Sequence, residues 1–181
     1  VSLSLNADPV ENLNVYLAYI YSESKSVSDM TGSSLYSTWK NTLSVNSSND
    51  ELVKRTAYVI PDKISAYATY TLNTGKYSST MFGLYYVGMN SGVYSYSYTN
   101  DMNGDGSSAD LIYIPASKEE VKFVDNGNYT AAEQQDAFWN FVCNDPYLSK
   151  HKGEYAEANM ARMPWFNRFD LRVVENIGFK V

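Results

Sequence analysis

The chain has 181 residues, with 14 Lys and Arg against 20 Asp and Glu and a formal net charge of −6. That balance argues against a nucleic-acid surface, because gripping phosphates needs clustered Lys and Arg. One cysteine, Cys143, and one histidine, His151, exclude an internal disulfide, a cysteine zinc cluster and a multi-histidine metal site. Near absence of cysteine is compatible with export. No apolar run approaches the ~20 residues of a membrane helix, whereas strand-built spans stay open. Seventeen Tyr against seven Phe and three Trp favour β structure.

Taken in order, Val1 to Leu5 alternates Val and Leu against Ser, and Asn6, Asp8 and Pro9 predict a short turn. A second strand is predicted over 12–26, with Leu13, Val15, Leu17, Tyr19 and Tyr21 on one face. Residues 27–61 are rich in Ser, Asn and Asp and too long for an ordinary connection. A third strand over 62–73 puts Ile64, Ala66, Ala68, Tyr70 and Leu72 on one face, and Asn73 to Lys76 predicts a hairpin turn. A long fourth strand over 77–99 follows, in which Thr80, Phe82, Leu84 and Tyr86 oppose Ser79, Met81, Gly83 and Tyr85, and Tyr94, Tyr96 and Tyr98 share one face.

After Pro115 the alternation stops. Thr130 to Asn144 predicts a helix with Thr130 as N-cap and Glu133 in the capping-box position, ended by Asp145 and Pro146. Tyr147 to Met163 carries no clear pattern. From Pro164 a last strand is predicted over 164–181, with Trp165, Asn167, Phe169, Leu171 and Val173 opposite Phe166, Arg168, Asp170 and Arg172.

Short connections thus alternate with long ones, at 27–61 and 100–163. In an up-and-down meander this puts every short turn at one end and every long loop at the other, the layout of an outer-membrane barrel. Arg168, Asp170 and Arg172 suit a wet lumen, and Phe169, Leu171 and Val173 suit lipid. A solvated one-sided antiparallel sheet gives the same alternation. The expected fold is all-β: antiparallel up-and-down strands forming part of a large transmembrane barrel, with long extracellular loops, one carrying a short helix. Both ends, VSLSL and RFDLRVVENIGFKV, alternate as if in mid-strand and predict a fragment of one larger barrel domain.

The stretches DMNGDGSSADLIYIP at Asp101 to Pro115, YLSKHKGEYAEANMARMPW at Tyr147 to Trp165 and NRFDLRVVENI at Asn167 to Ile177 resemble the C-terminal barrel portion of TonB-dependent outer-membrane receptors, of the Oar-like branch of Bacteroidetes. The resemblance implies a 22-stranded barrel around a plug domain, importing a ligand across the outer membrane with energy delivered through TonB. It also implies partners: the remaining barrel segments, the plug, the TonB complex, outer-membrane lipid, and a surface lipoprotein or other cargo. The plug and the TonB-contacting segment have no counterpart among these residues.

Asp101, Asn103 and Asp105 recur at every second position ahead of Gly106, a spacing of oxygen donors like the start of a calcium loop, with a carbonyl at Ser107 and Asp110 closing the shell. Ile112 stands where an EF-hand has its bidentate Glu. The alternative is an Asx turn, in which these side chains cap their own backbone. Calcium is therefore the cofactor to test, and no organic cofactor is expected. Trp39, Tyr94, Tyr96, Tyr98 and Trp139 are the candidates for a ligand-stacking surface, against plain loop packing or an aromatic girdle. His151 between Lys150 and Lys152, without nucleophile-elbow spacing, does not form a triad. The expectation is a protein that binds rather than transforms; the competing reading is a soluble, calcium-stabilised β-sandwich that binds glycans or adheres to a surface.

Overall fold

The computed structural model describes residues 1–30 and 32–179. Thr31 in the first long loop, and residues 180 and 181 at the end of the expected last strand, lie outside the described residues. In chain order the strands are β1 (Ser2–Val10), β2 (Leu13–Tyr21), β3 (Lys25–Ser26), β4 (Lys54–Arg55), β5 (Asp62–Gly75), β6 (Ser78–Asn90), β7 (Val93–Tyr94), β8 (Ala161–Arg162) and β9 (Trp165–Ile177). The α-helices are α1 (Leu35–Lys40) and α2 (Ala131–Asn144). The fold is mostly antiparallel β with few helices. It divides into two compact units: the long strands, from Val1–Glu23, Val59–Gly92 and the chain from Met163 onward, and the two excursions Ser24–Tyr58 and Val93–Arg162.

The first unit is one five-stranded sheet in the order β1-β2-β5-β6-β9, antiparallel throughout. Its register gathers the apolar positions into rows. Leu5, Leu17, Ala66, Tyr86 and Phe169 lie side by side; the next row is Ala7, Val15, Ala68, Leu84 and Leu171; the next is Leu13, Tyr70, Phe82 and Val173. The opposite face carries Asn6, Tyr16, Tyr67, Tyr85 and Asp170 in one row and Asn14, Thr69, Gly83 and Arg172 in another. Tyr16 stacks on Tyr67 at 5.1 Å, and Arg168 Nε donates to Asp170 Oδ2 at 2.9 Å.

Three expectations need correction. The first strand does not stop at Asn6 to Pro9: it runs to Val10, with a register shift between Ala7 and Val10. Asn6 and Asp8 instead accept hydrogen bonds from Asn14 Nδ2, and the turn falls at Glu11 and Asn12, where Asn12 takes φ 65°, a conformation Asn tolerates better than most residues. The next hairpin turns at Lys76 and Tyr77, because Gly75 still pairs with Ser78. The fourth strand is not continuous to residue 99. It ends at Asn90; Gly92 turns the chain at φ 139°, a conformation that favours glycine, and its carbonyl accepts from Met163 N at 3.0 Å.

In the second unit, Ile114, Val142, Leu148 and Ala156 form a buried cluster, with Tyr96, Ile112, Phe138, Trp139 and Tyr147 packed against it. Helix α2 starts as its sequence dictates. Thr130 Oγ1 accepts from Glu133 N, and the Glu133 carboxylate accepts from Thr130 N at 2.8 Å, so two otherwise unpaired amides are satisfied reciprocally. Thr130→Ala is expected to cost about 1 kcal/mol and Thr130→Ser far less. Faster amide exchange confined to the first turn of α2 in Thr130→Ala is the measurement that checks it.

Candidate functional site

The first candidate is the acidic loop after Asn100. Asp101 Oδ1 accepts from Gly104 N at 2.6 Å and Asp105 N at 3.2 Å, and Oδ2 accepts from Gly106 N at 2.8 Å. Asn103 Oδ1 accepts from Asp105 N, and Asp105 Oδ1 from Ser107 N at 2.7 Å. Asp110, only 2 % exposed, accepts from Met102 N at 2.6 Å and from Asn103 Nδ2 at 3.2 Å. The alternating Asx residues are thus folded into turns around their own backbone. Gly104 and Gly106 supply the positive φ values, 78° and 91°, that this path requires.

The same loop ties the two excursions together. Asn103 Nδ2 donates to Asn46 O at 2.8 Å, Ser48 N to Asp105 Oδ2 at 3.3 Å, and the fully buried Ser107 donates through Oγ to Lys40 O at 2.8 Å. Ser44 forms a parallel bridge with Asp110. Trp39 belongs here too. Its Nε1 donates to Asn49 Oδ1, and its Cη2 lies 3.8 Å from where a Cβ on Gly106 would sit.

The proposed calcium donors Asp101, Asn103, Asp105, Ser107 and Asp110 fall in one loop, and a cation there would share their oxygens with backbone and side-chain N–H donors. Every carboxylate oxygen of Asp101, Asp105 and Asp110 already receives an N–H donor. Among the described residues no three His, Cys, Asp or Glu side chains are gathered to hold a metal.

The aromatic candidates fall in separate places. Tyr94 and Tyr96 meet edge to face at 5.3 Å, with their hydroxyls 2.9 Å apart, and Tyr96 donates to Asp145 Oδ2 at 2.5 Å. Burial, then the bond to Asp145, raises the Tyr96 pKa and keeps its hydroxyl protonated. Tyr96 is a core residue, stacked on Tyr147 at 6.3 Å. Trp139 packs on the same core and carries Lys152 Nζ over its ring at 4.5 Å. Tyr98 donates its backbone N–H to Asp110 O at 2.8 Å, holding the acidic loop. No single stacking surface of all five is formed.

Missing from the sequence reading is a cleft of about 440 Å³ in this unit. Tyr94 and Tyr147 line it together with Arg55, Lys150, His151 and Arg162. Asp145 also borders the cleft, but its oxygens are taken by the Tyr96 hydroxyl and by the amides of Tyr147 and Leu148 at 2.9 and 2.8 Å. His151 stacks on Tyr147 at 4.4 Å, with Nδ1 3.2 Å from Glu154 Oε2. The only local signal was the Lys150-His151-Lys152 run, since Arg55 lies on the other excursion. Comparison with protein-family models, curated proteins and solved structures finds no match for this chain.

Backbone amides, Gly106 first, hold the Asp101 carboxyl below the usual carboxylate range. A group depressed in the folded state contributes fully above its unfolded pKa, and the contribution fades as pH falls through the lower folded value. The Gly104 and Gly106 amide resonances are therefore expected to stay put until the pH drops below the ordinary Asp range. Chelation with EGTA at neutral pH is expected to leave these amides protected from exchange; protection lost in EGTA and restored by Ca²⁺ would contradict a loop held by its own backbone.

Proposed function

We propose that this chain is a section of the wall and ligand-facing loops of a TonB-dependent outer-membrane transporter, which binds an extracellular ligand and imports it. The observation that carries this reading is the exposure of the apolar face on strands flanked on both sides. Leu17 and Leu84 are each 49 % exposed, on β2 and β6, while Ala18 and Val87 on the opposite face are 4 % and 8 % exposed. A sandwich would enclose the first set; a curved barrel wall presents it to hydrocarbon and crowds the second on its concave side.

Dimensions agree. From Ile64 to Leu72, at about 3.4 Å per residue, a strand covers about 27 Å. Tilted by about 40°, it stands roughly 21 Å tall, close to the ~25 Å apolar band of such barrels. Polar-tipped aromatics mark the loop end of the band. Tyr86 Oη and Trp165 Nε1 both donate to Asn167 Oδ1, at 2.8 and 3.0 Å, and Tyr19 donates to Asp62 Oδ1 at 2.5 Å, as expected at a membrane–water boundary. Both long excursions leave from this end, after Tyr21 and Asn90, and both two-residue turns lie at the other. Among the described residues β1 and β9 each pair on one side only, and open edges of this length call for further strands. No described helix is long and apolar enough to cross a membrane, which leaves crossing by strands untouched.

In this reading the strands are wall, the excursions form the receptor face, and the chain binds without catalysing. Recovery from the outer-membrane fraction only with detergent is the expected result; recovery in the aqueous fraction would overturn it. Placed on the apolar face, Leu84→Arg is expected to cost about 2–4 kcal/mol near the bilayer midplane and to block assembly. Thr71→Arg on the other face is expected to be tolerated. Equal tolerance of both, scored by heat-modifiable electrophoretic mobility, points to a face bathed in water.

A further inference from the structure

The cleft of the excursion unit has a chemistry unlike the rest of an acidic chain. Arg55, Lys150 and Arg162 border it, and its one carboxylate, Asp145, is already occupied by a hydroxyl and two amides. His151 Nδ1 lies 3.2 Å from Glu154 Oε2. Arg55 supplies the most telling detail: its Nε is buried and has no hydrogen-bond partner. A buried guanidinium N–H without an acceptor is costly, and such groups are rare in folded proteins.

The floor is held in place independently of any ligand. Tyr94 is tied to Tyr96 and through it to Asp145, and Tyr147 is fixed by accepting from Glu157 N at 2.8 Å and by stacking on His151. Arg55 is positioned by its own backbone, whose carbonyl accepts from Asn159 Nδ2 at 2.7 Å. Asn159, only 4 % exposed and at φ 58°, in turn receives Ser95 Oγ on its Oδ1. Preorganised side chains of this kind bind with little ordering cost. About 440 Å³ lies within the ~300–1,000 Å³ range of small-ligand sites, more than a lone inorganic anion needs.

We propose that this cleft binds an acidic organic ligand, with a carboxylate or phosphate held by Arg55 and Lys150 and a ring face laid against Tyr94 and Tyr147. A guanidinium and an ammonium suit an oxyanion, and the phenol rings accept the flat side of a sugar or aromatic group. This names the ligand class for the receptor face proposed above and rests on that reading for its biological setting. Its chemistry is tested separately, so anion binding fails or holds regardless of where the protein fractionates.

Calorimetric titration of the full chain in detergent tests it, using trigalacturonate and glucose 1-phosphate as acidic probes, maltotriose as the neutral probe and inorganic phosphate as the bare anion. At least one acidic probe is expected to bind more tightly than both maltotriose and phosphate, and to weaken as salt is raised. Arg55→Gln is expected to lower that affinity about tenfold or more, and exposed Lys150→Gln, which leaves the core intact, several-fold. Maltotriose or phosphate binding as tightly as both acidic probes overturns the proposal. So does unchanged affinity in Lys150→Gln and Arg55→Gln, or no binding of either acidic probe.

Discussion

Everything in the sheet follows from a strand's two-residue period. Once β2, β5 and β6 pair in register, Leu17, Ala66 and Tyr86 and the rows below them are set side by side on one face, and residues such as Tyr16, Tyr67 and Thr69 fall on the other. The result is a sheet with an oily face and a wet face, neither of which resembles a closed interior. Burial of Ala18 and Val87 beside open Leu17 and Leu84 reverses the order that water alone would impose. Hydrocarbon on the outer side would remove the conflict, and the proposed barrel wall rests on that argument.

The excursions obey different physics. The second folds around a small buried cluster of Ile114, Val142, Leu148 and Ala156, and side-chain-to-backbone hydrogen bonds stitch the first to it. The acidic loop is the densest of these stitches. Its carboxylates satisfy amides in tight turns, while Asn103, Asp105 and Ser107 reach the other excursion. The acidic loop thereby acts as a clasp between two segments distant in sequence.

Near that core, Asp145 joins two roles. It ends α2, accepts the amides that start the next turn, and through the Tyr96 hydroxyl connects the buried cluster to Tyr94 at the cleft. Using its charge internally leaves the cleft wall to cations. Burial also bears on Lys54, whose pKa is lowered by desolvation against the opposing pull of Asp29 while its Nζ donates to Leu43 O at 2.7 Å. Charge in this unit is thus spent on backbone carbonyls and amides as much as on other charges.

Local chemistry made much of this legible in the residues. The faces of the long strands and the capping box at Thr130 and Glu133 depend on neighbours within a few positions, so spacing alone determined them, whereas the spacing of Asp101, Asn103 and Asp105 fits an Asx turn and a calcium loop alike. Strand ends were less legible, because Asn6 and Asp8 look like turn formers until Asn14 across the hairpin gives them a partner. The break at Gly92 depends on Met163, far along the chain. Tertiary structure alone decided that Tyr96 is core, that Trp39 sits against the acidic loop, and that Arg55 shares a cleft with Lys150. The first hangs on packing between residues about fifty positions apart and the other two on contacts between the two excursions, which no periodicity encodes.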